Sequence, residues 1–290
     1  MALAVLSVLP AGQLLFAAGR VAEHMVRWFA NGLFAAALTF SLIALYLVYA
    51  LGTESFGWVR TGIGAAYALA PGALLWQERE RQRPFGAWED YAALLLIWLP
   101  VEFHLLRELW PYPSPRGAGA LAALFTANVV IVLFVLARRL EGVGYTIAWG
   151  RGWAVGVSFV MFAAVAIPLG QAIGFIRFEP SIERLKLLPL SVLSIFLFAA
   201  WPEELFFRGL MQNLLARTLK NDDAGWVFTS VIFGLAHINN GGFPNWRYVL
   251  LATLAGLAYG RAWKKTASVF ASALVHTLVN TTWHLLFHTL

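Results

Sequence analysis

The stretch Leu187–Leu210, LLPLSVLSIFLFAAWPEELFFRGL, is apolar for most of its length and then sets two glutamates and an arginine close together. An ionisable side chain at the centre of a membrane-spanning helix costs roughly 2.5–3.5 kcal/mol on insertion scales. Three of them at one place call for compensation or for a task. On a helix Glu204 and Arg208 are four apart and share a face, where they can pair. Glu203 lies about 100° around from Glu204 and about 140° from Arg208 by the 3.6-residue period, so it is left to face something else.

The rest of the chain says that lipid is the solvent. Of 290 residues, 60% are hydrophobic and 12% charged, with a mean hydropathy of +0.70. Soluble domains carry about twice that charge fraction. The apolar runs are rich in Leu, Ala, Phe and Gly and long enough for a hydrocarbon core of about 30 Å, which takes about 20 helical residues. Helices, rather than a barrel, do the spanning. The expected fold is all-α, a polytopic transmembrane bundle of eight to ten helices. Spans are expected at 33–51, 61–76, 91–110, 121–137, 153–175, 188–215, 226–238, 246–263 and 268–286. The apolar stretch 2–19 is broken by Pro10 and has no preceding positive charge, unlike a secretory signal. Trp28, Trp58, Trp76, Trp110, Trp153, Trp226, Trp246 and Trp263 stand near proposed ends, as an interfacial belt requires.

With nine spans, the basic loop residues Arg20, Arg27, Arg79, Arg81, Arg83, Arg138, Arg139, Arg151, Arg217, Lys220, Arg261, Lys264 and Lys265 fall on one side, and fewer fall on the other. The positive-inside rule then puts the N-terminus in the cytoplasm and the C-terminus outside, in an integral protein of the inner or plasma membrane. The net charge of +6 fits that rule and anionic lipid, and no basic cluster interleaved with aromatics suggests nucleic acid. The absence of cysteine excludes disulfides, thiolate metal sites and a cysteine nucleophile. The polar connector 77–90, QERERQRPFGAWED, reads as a solvated loop. By role, the chain divides into N-terminal helices, 1–187, and a core that carries the chemistry, 188–290.

Two later segments bring polar groups to the same depth as the charge cluster. FGLAHINNG (233–241) carries His237, and HTLVN (276–280) carries His276 and Asn280 on one helical face. Glu203, His237 and His276 lie roughly 11–14 residues, or about 17–21 Å of helix, from the nearest charges on the proposed cytoplasmic side. A buried carboxylate beside a neutral imidazole can deprotonate a water. A second histidine and a carboxamide can donate to the oxygen that turns negative when water attacks a carbonyl. Amide hydrolysis is the chemistry these groups assemble. Glutamate with two histidines is also a zinc set, although no HExxH helix accompanies it. A proton-relay transporter is a third use, with neither an inverted repeat nor paired broken helices to support it.

As an ordered set, Glu203-Glu204-Leu-Phe-Phe-Arg208, Phe233-Gly-Leu-Ala-His237 and His276-Thr-Leu-Val-Asn280 resemble the CAAX protease and bacteriocin-processing family, intramembrane glutamic endopeptidases that include the CAAX prenyl endopeptidase. The resemblance runs over 189–282. It implies a peptidase using glutamate and water, with no metal or other cofactor and no covalent intermediate, acting on a peptide or protein substrate at the membrane. Glu203 is then the general base, His237 orients the water, and His276 and Asn280 line the oxyanion side. Glu204 and Arg208 support the site and Phe233 packs beneath it. The family also holds members whose part is scaffolding, so a proteolytically silent binding protein is the alternative. Outside the core, Glu102, His104, Arg107 and Glu108 read as structural or interfacial, with His104 and Glu108 at pairing spacing. His24, His284 and His288 read as interfacial. Asn239 and Asn240 are expected to make the turn after the second motif, with Asn240 near the site.

Overall fold

The computed structural model describes residues 2–18, 33–80, 84–112, 115–147 and 151–290. Arg20, His24, Arg27, Trp28, Arg81 and Arg83 lie outside the described residues. The protein is an almost entirely helical membrane protein, with a helix in place of every expected span. Among the described residues, three helical stretches are by themselves long and apolar enough to cross a bilayer: Gly119–Ala137, Trp153–Ala172 and Leu188–Leu219.

The chain forms two compact units, Met1–Glu141 and Gly142–Leu290. The first holds α1 (Ala2–Ala17), α2 (Leu33–Gly52), α3 (Trp58–Glu80), α4 (Trp88–Glu102) and α5 (Pro115–Val130, continued by a π segment, Ile131–Ala137). Trp110 is fully buried there, against Tyr46, Tyr49 and Phe125, so it is a core residue and not part of an interfacial belt. The connector 77–90 is not simply solvated. Asp90 is buried and takes Arg138 Nε at 2.9 Å, and Gly86 N–H donates to its second oxygen. The helix expected to run to 110 stops at Glu102. Pro100 stands in its last turn and His104 takes a left-handed conformation at φ 58°, so the helical spacing proposed for His104 and Glu108 does not exist.

The second unit carries α6 (Trp153–Ala172), β1 (Ile176–Phe178), the short α7 (Ile182–Lys186), α8 (Leu188–Leu219), α9 (Asp222–Leu235), α10 (Trp246–Thr266), α11 (Val269–Leu286) and β2 (Phe287–Thr289). The β1–β2 pair is antiparallel, with Arg177 opposite His288, a small element absent from the expected helical bundle. The hairpins between long helices are written in cap chemistry. Lys220 closes α8 in a left-handed conformation and the Asn221 side chain then accepts from Asp223 N and Ala224 N to start α9. Ala267 and Ser268 repeat the device between α10 and α11. Such caps satisfy the orphan N–H groups of a helix start, each contributing about 1 kcal/mol.

Helices α9 and α10 approach closely because small residues line the seam. A Cβ at Gly256 would lie 3.1 Å from Ser230, and one at Gly260 would lie 2.4 Å from Trp226. Gly256 and Gly260 form a G-x-x-x-G pair, which lets helix backbones meet where no hydrophobic driving force exists between them in lipid. The approach brings α8 side chains within reach of α10 carbonyls: Arg208 donates to Gly256 O at 3.2 Å and Gln212 to Gly260 O at 3.4 Å.

Candidate active site

Helix α8 is not wound uniformly. π segments at Phe196–Ala200 and Leu205–Gln212 flank the α-helical turn Trp201–Glu204. Such segments widen a helix locally and recur at functional sites. They place the two adjacent glutamates in different surroundings. Glu204 is completely buried, with Arg208 Nε at 3.2 Å, the Ser272 hydroxyl donating at 2.6 Å and His276 Nδ1 at 2.9 Å. Glu203 keeps 41% of its side chain exposed, and His276 Nε2 stands 4.0 Å from its carboxylate.

The pairing expected of Glu204 and Arg208 is therefore present, within a larger cluster. The Arg208 guanidinium sits over the rings of Phe233 at 4.8 Å, Tyr259 at 5.6 Å and Phe207 at 5.9 Å. Aromatic faces stabilise a desolvated cation by about 2 kcal/mol. Phe233 is the hub of this packing, within 4.8 Å of the His237 ring and 6.1 Å of His276, centroid to centroid. The Tyr259 ring lies almost parallel to His276, 4.5 Å away and tilted by 12°, which fixes the plane of the imidazole.

His237 is not on a helix. α9 ends at Leu235, and His237 occupies the turn that follows, its Nδ1 2.8 Å from Phe233 O. The turn runs through Asn239 and Asn240, as expected from the asparagines and glycines, and Asn245 locks it. The Asn245 N–H donates to Ile238 O at 2.8 Å, its side-chain amide to Asn240 O at 2.7 Å, and its Oδ1 caps α10 through Tyr248 N.

Glu203, Phe233, His237, His276 and Asn280 all line one cavity of about 300 Å³. Glu204 and Arg208 lie outside it and hold His276 and α10 in place. Asn240, Tyr248, Tyr259, Trp283 and His284 are also in its wall. Tyr248, Tyr259 and Ser272 were not anticipated. Ser272 had a readable signal, being four residues before His276 as His276 is four before Asn280, on one face of α11. The tyrosines had none, since only the packing of α10 turns them inward. Glu102, His104, Arg107 and Glu108 belong to the other unit. A larger groove of about 710 Å³, lined by Leu187, Leu188, Leu190 and Ile195, shares Trp283, His284 and Thr289 with the cavity. His284 is thus a wall residue as well as a helix-end one.

Both imidazoles have a readable tautomer. A carbonyl only accepts, and a carboxylate paired with arginine accepts, so the Nδ1 atoms of His237 and His276 are the donors in these two contacts. A neutral imidazole with its proton on Nδ1 has an acceptor at Nε2. Among the described residues no three His, Asp or Glu side chains are grouped as metal ligands.

No curated protein and no solved structure matches the chain significantly. One family model does, that described as type II CAAX prenyl endopeptidase Rce1-like, over residues 185–282. That stretch contains Glu203, Glu204, Arg208, Phe233, His237, His276 and Asn280, and it makes this part of the chain a domain of the Rce1-like family of membrane proteases.

Proposed function

We propose that the Rce1-like domain hydrolyses a peptide bond in a membrane-associated substrate, using Glu203 as general base toward a water in the cavity. The observation that carries this reading is the contrast between the two glutamates. Glu204 is fully buried among Arg208, Ser272 and His276, whereas Glu203 keeps 41% of its side chain exposed and lines the cavity together with His237 and His276. A general base must reach the water that it deprotonates, and of the two glutamates Glu203 is the one in the cavity wall.

In this reading Glu203 takes a proton from water while the water oxygen bonds to the substrate carbonyl carbon, and the carbonyl π pair moves onto its oxygen. The oxyanion then collapses, the C–N bond breaks, and the leaving amine takes the proton back from Glu203. His237 accepts the water's second O–H at Nε2, and His276 stands beside Glu203 in the same wall. The family resemblance implies an oxyanion-side part for His276, whose Nδ1 donates to Glu204. Asn280 donates its amide to the oxyanion. Glu204, Arg208 and Phe233 position the imidazoles and make no contact with the reacting atoms. The adjoining apolar groove suits a hydrophobic or lipid-bearing segment next to the scissile bond.

The reading includes metal independence. Purified untagged protein in detergent, incubated with a peptide library, is expected to cleave peptides at the same rate before and after chelation and to hold no stoichiometric zinc. Activity lost on chelation and regained on adding zinc would make the domain a metalloprotease. A folded protein that binds peptides and cuts none would be a scaffold.

A further inference from the structure

The β1–β2 pair has three residues in each strand, and a lone two-stranded element is marginal by itself. It stands at the rim of the candidate active site. Thr289 of β2 lines both the cavity that holds Glu203 and the larger apolar groove. Trp283 lines both as well, and its indole N–H donates to Thr289 Oγ1 at 3.2 Å. The end of α11 and β2 thus form the ridge between the two hollows.

The register decides which backbone groups of β2 are used. In an antiparallel pair, facing residues alternate between those that exchange both hydrogen bonds and those whose N–H and C=O point away from the partner strand. Leu290 N–H donates to Phe175 O at 2.9 Å and Glu179 N–H to Leu286 O at 2.8 Å, so the bonded positions on this side are 286, 288 and 290. Phe287 and Thr289, opposite Phe178 and Ile176, turn their backbone groups to the outer edge. Phe287 is occupied there. Its N–H closes α11 on Trp283 O, and its C=O accepts from Arg184 Nη1 at 3.2 Å. Thr289 is exposed, and among the described residues its N–H and C=O find no partner. A donor and an acceptor left open on one strand residue are what an extended chain completes with two hydrogen bonds.

Resting on the hydrolytic reading of the cavity, we infer that the substrate peptide binds as an added strand, one of its residues exchanging both backbone hydrogen bonds with Thr289. The open groups are polar and spaced as a backbone is, which suits a peptide and gives an acyl chain nothing to bond. Arg184 at Phe287 O ends the pairing after that one residue. Successive side chains of an extended segment point to opposite faces. A segment held on the ridge therefore runs from one hollow to the other, with the scissile carbonyl on the cavity side and an apolar side chain on the groove side. The main-chain bonds set register whatever the sequence, and the groove sets the preference for that side chain.

The test reads binding, so it does not depend on turnover. The library peptide that the full-length Glu203→Gln protein binds most tightly is remade with each backbone N–H in turn replaced by an ester oxygen. One ester position should weaken binding by about 3- to 10-fold, the worth of a single hydrogen bond, and the others by less than about twofold. On the protein side, Thr289→Pro removes the edge N–H, and proline is tolerated on an edge where that N–H makes no ladder bond. It should weaken the parent peptide by a similar factor, while Thr289→Val, which keeps the N–H, stays within about twofold. Should Thr289→Pro fail to fold, Thr289→Cys takes its place in a chain that has no other cysteine. It should form a disulfide with a peptide carrying cysteine at the sensitive residue, since paired strand residues lie within disulfide range, and not with one carrying it a residue away. A flat ester scan, equal binding by Thr289→Pro and Thr289→Val, or cross-linking without positional preference would overturn strand addition, and cleavage of the parent peptide by wild type would then leave hydrolysis standing. The full pattern in a protein that cleaves nothing would overturn hydrolysis and leave the strand site.

Discussion

Glu203 and Glu204 are neighbours with opposite surroundings, and their substitution should separate function from stability. Glu204 is buried with Arg208, Ser272 and His276 around it. Removing one member of such a cluster strands a buried charge, at a cost of about 3–5 kcal/mol. Glu204→Ala and Arg208→Ala should each lower the melting temperature in detergent, and the double variant should be less damaged than the sum, because the two share one interaction. Strictly additive losses would show that they act independently. Glu204→Gln has a second consequence: it no longer holds the His276 proton as a carboxylate does, so kcat should fall even where the fold survives. Glu203→Ala should leave the melting temperature within a degree or two, since a functional carboxylate more often burdens a fold than supports it. At this scale the sequence was informative. The pairing of Glu204 with Arg208 follows from their spacing, and the separate fate of Glu203 from its angle. The bond from His276 to Glu204 was not legible, because it joins residues 72 apart in the chain, and no periodicity relates α8 to α11.

At the level of elements, the helices were legible because apolar length and cap residues are local properties. What sequence could not supply was departure from regular winding. The π segments of α8 carry no composition of their own, and the end of α9 at Leu235 takes His237 off the helix that hydropathy had assigned to it. The β1–β2 pair was missed for a related reason, since three-residue strands fall below any period. The glycine seam was written in the chain as Gly256-x-x-x-Gly260, a readable pattern that the hydropathy reading passed over. Gly234 tests how tightly that seam is set. A Cβ there would stand 2.0 Å from Thr253 Oγ1 and 2.7 Å from Val249 O, and a backbone carbonyl cannot yield. Gly234→Ala should destabilise by about 1–3 kcal/mol, the usual cost of overpacking. It should also lower activity, because the displaced residues are those next to Phe233 and His237. Thermal scans showing no change would mean that α9 and α10 have room to part. Thr253→Ala, which removes the nearest atom but not the carbonyl, should restore only part of the loss.

For the whole molecule, composition decided the class of fold before any motif was read, because a chain so poor in charge has no other solvent than lipid. Its division was less accessible. The compact units meet in sequence at Glu141–Gly142, within a polar stretch like several others, so α6 joins the helices of the Rce1-like domain although it precedes the matched residues. The first unit has a buried ion pair of its own, Asp90 with Arg138, and neither residue lines the cavity. Asp90→Ala is therefore expected to lower stability and spare the kinetics of whatever protein remains folded, the reverse of a substitution at Glu203. The measurement that bears most directly on the central claim is cleavage of one library peptide by wild type and by Glu203→Gln, both purified, reconstituted in vesicles and matched for melting temperature. Glutamine keeps the shape of glutamate and cannot take the proton. The account predicts cleavage by wild type and a loss of at least about 10³-fold in Glu203→Gln, within the range seen for essential general bases. Equal cleavage by a folded Glu203→Gln protein would contradict it.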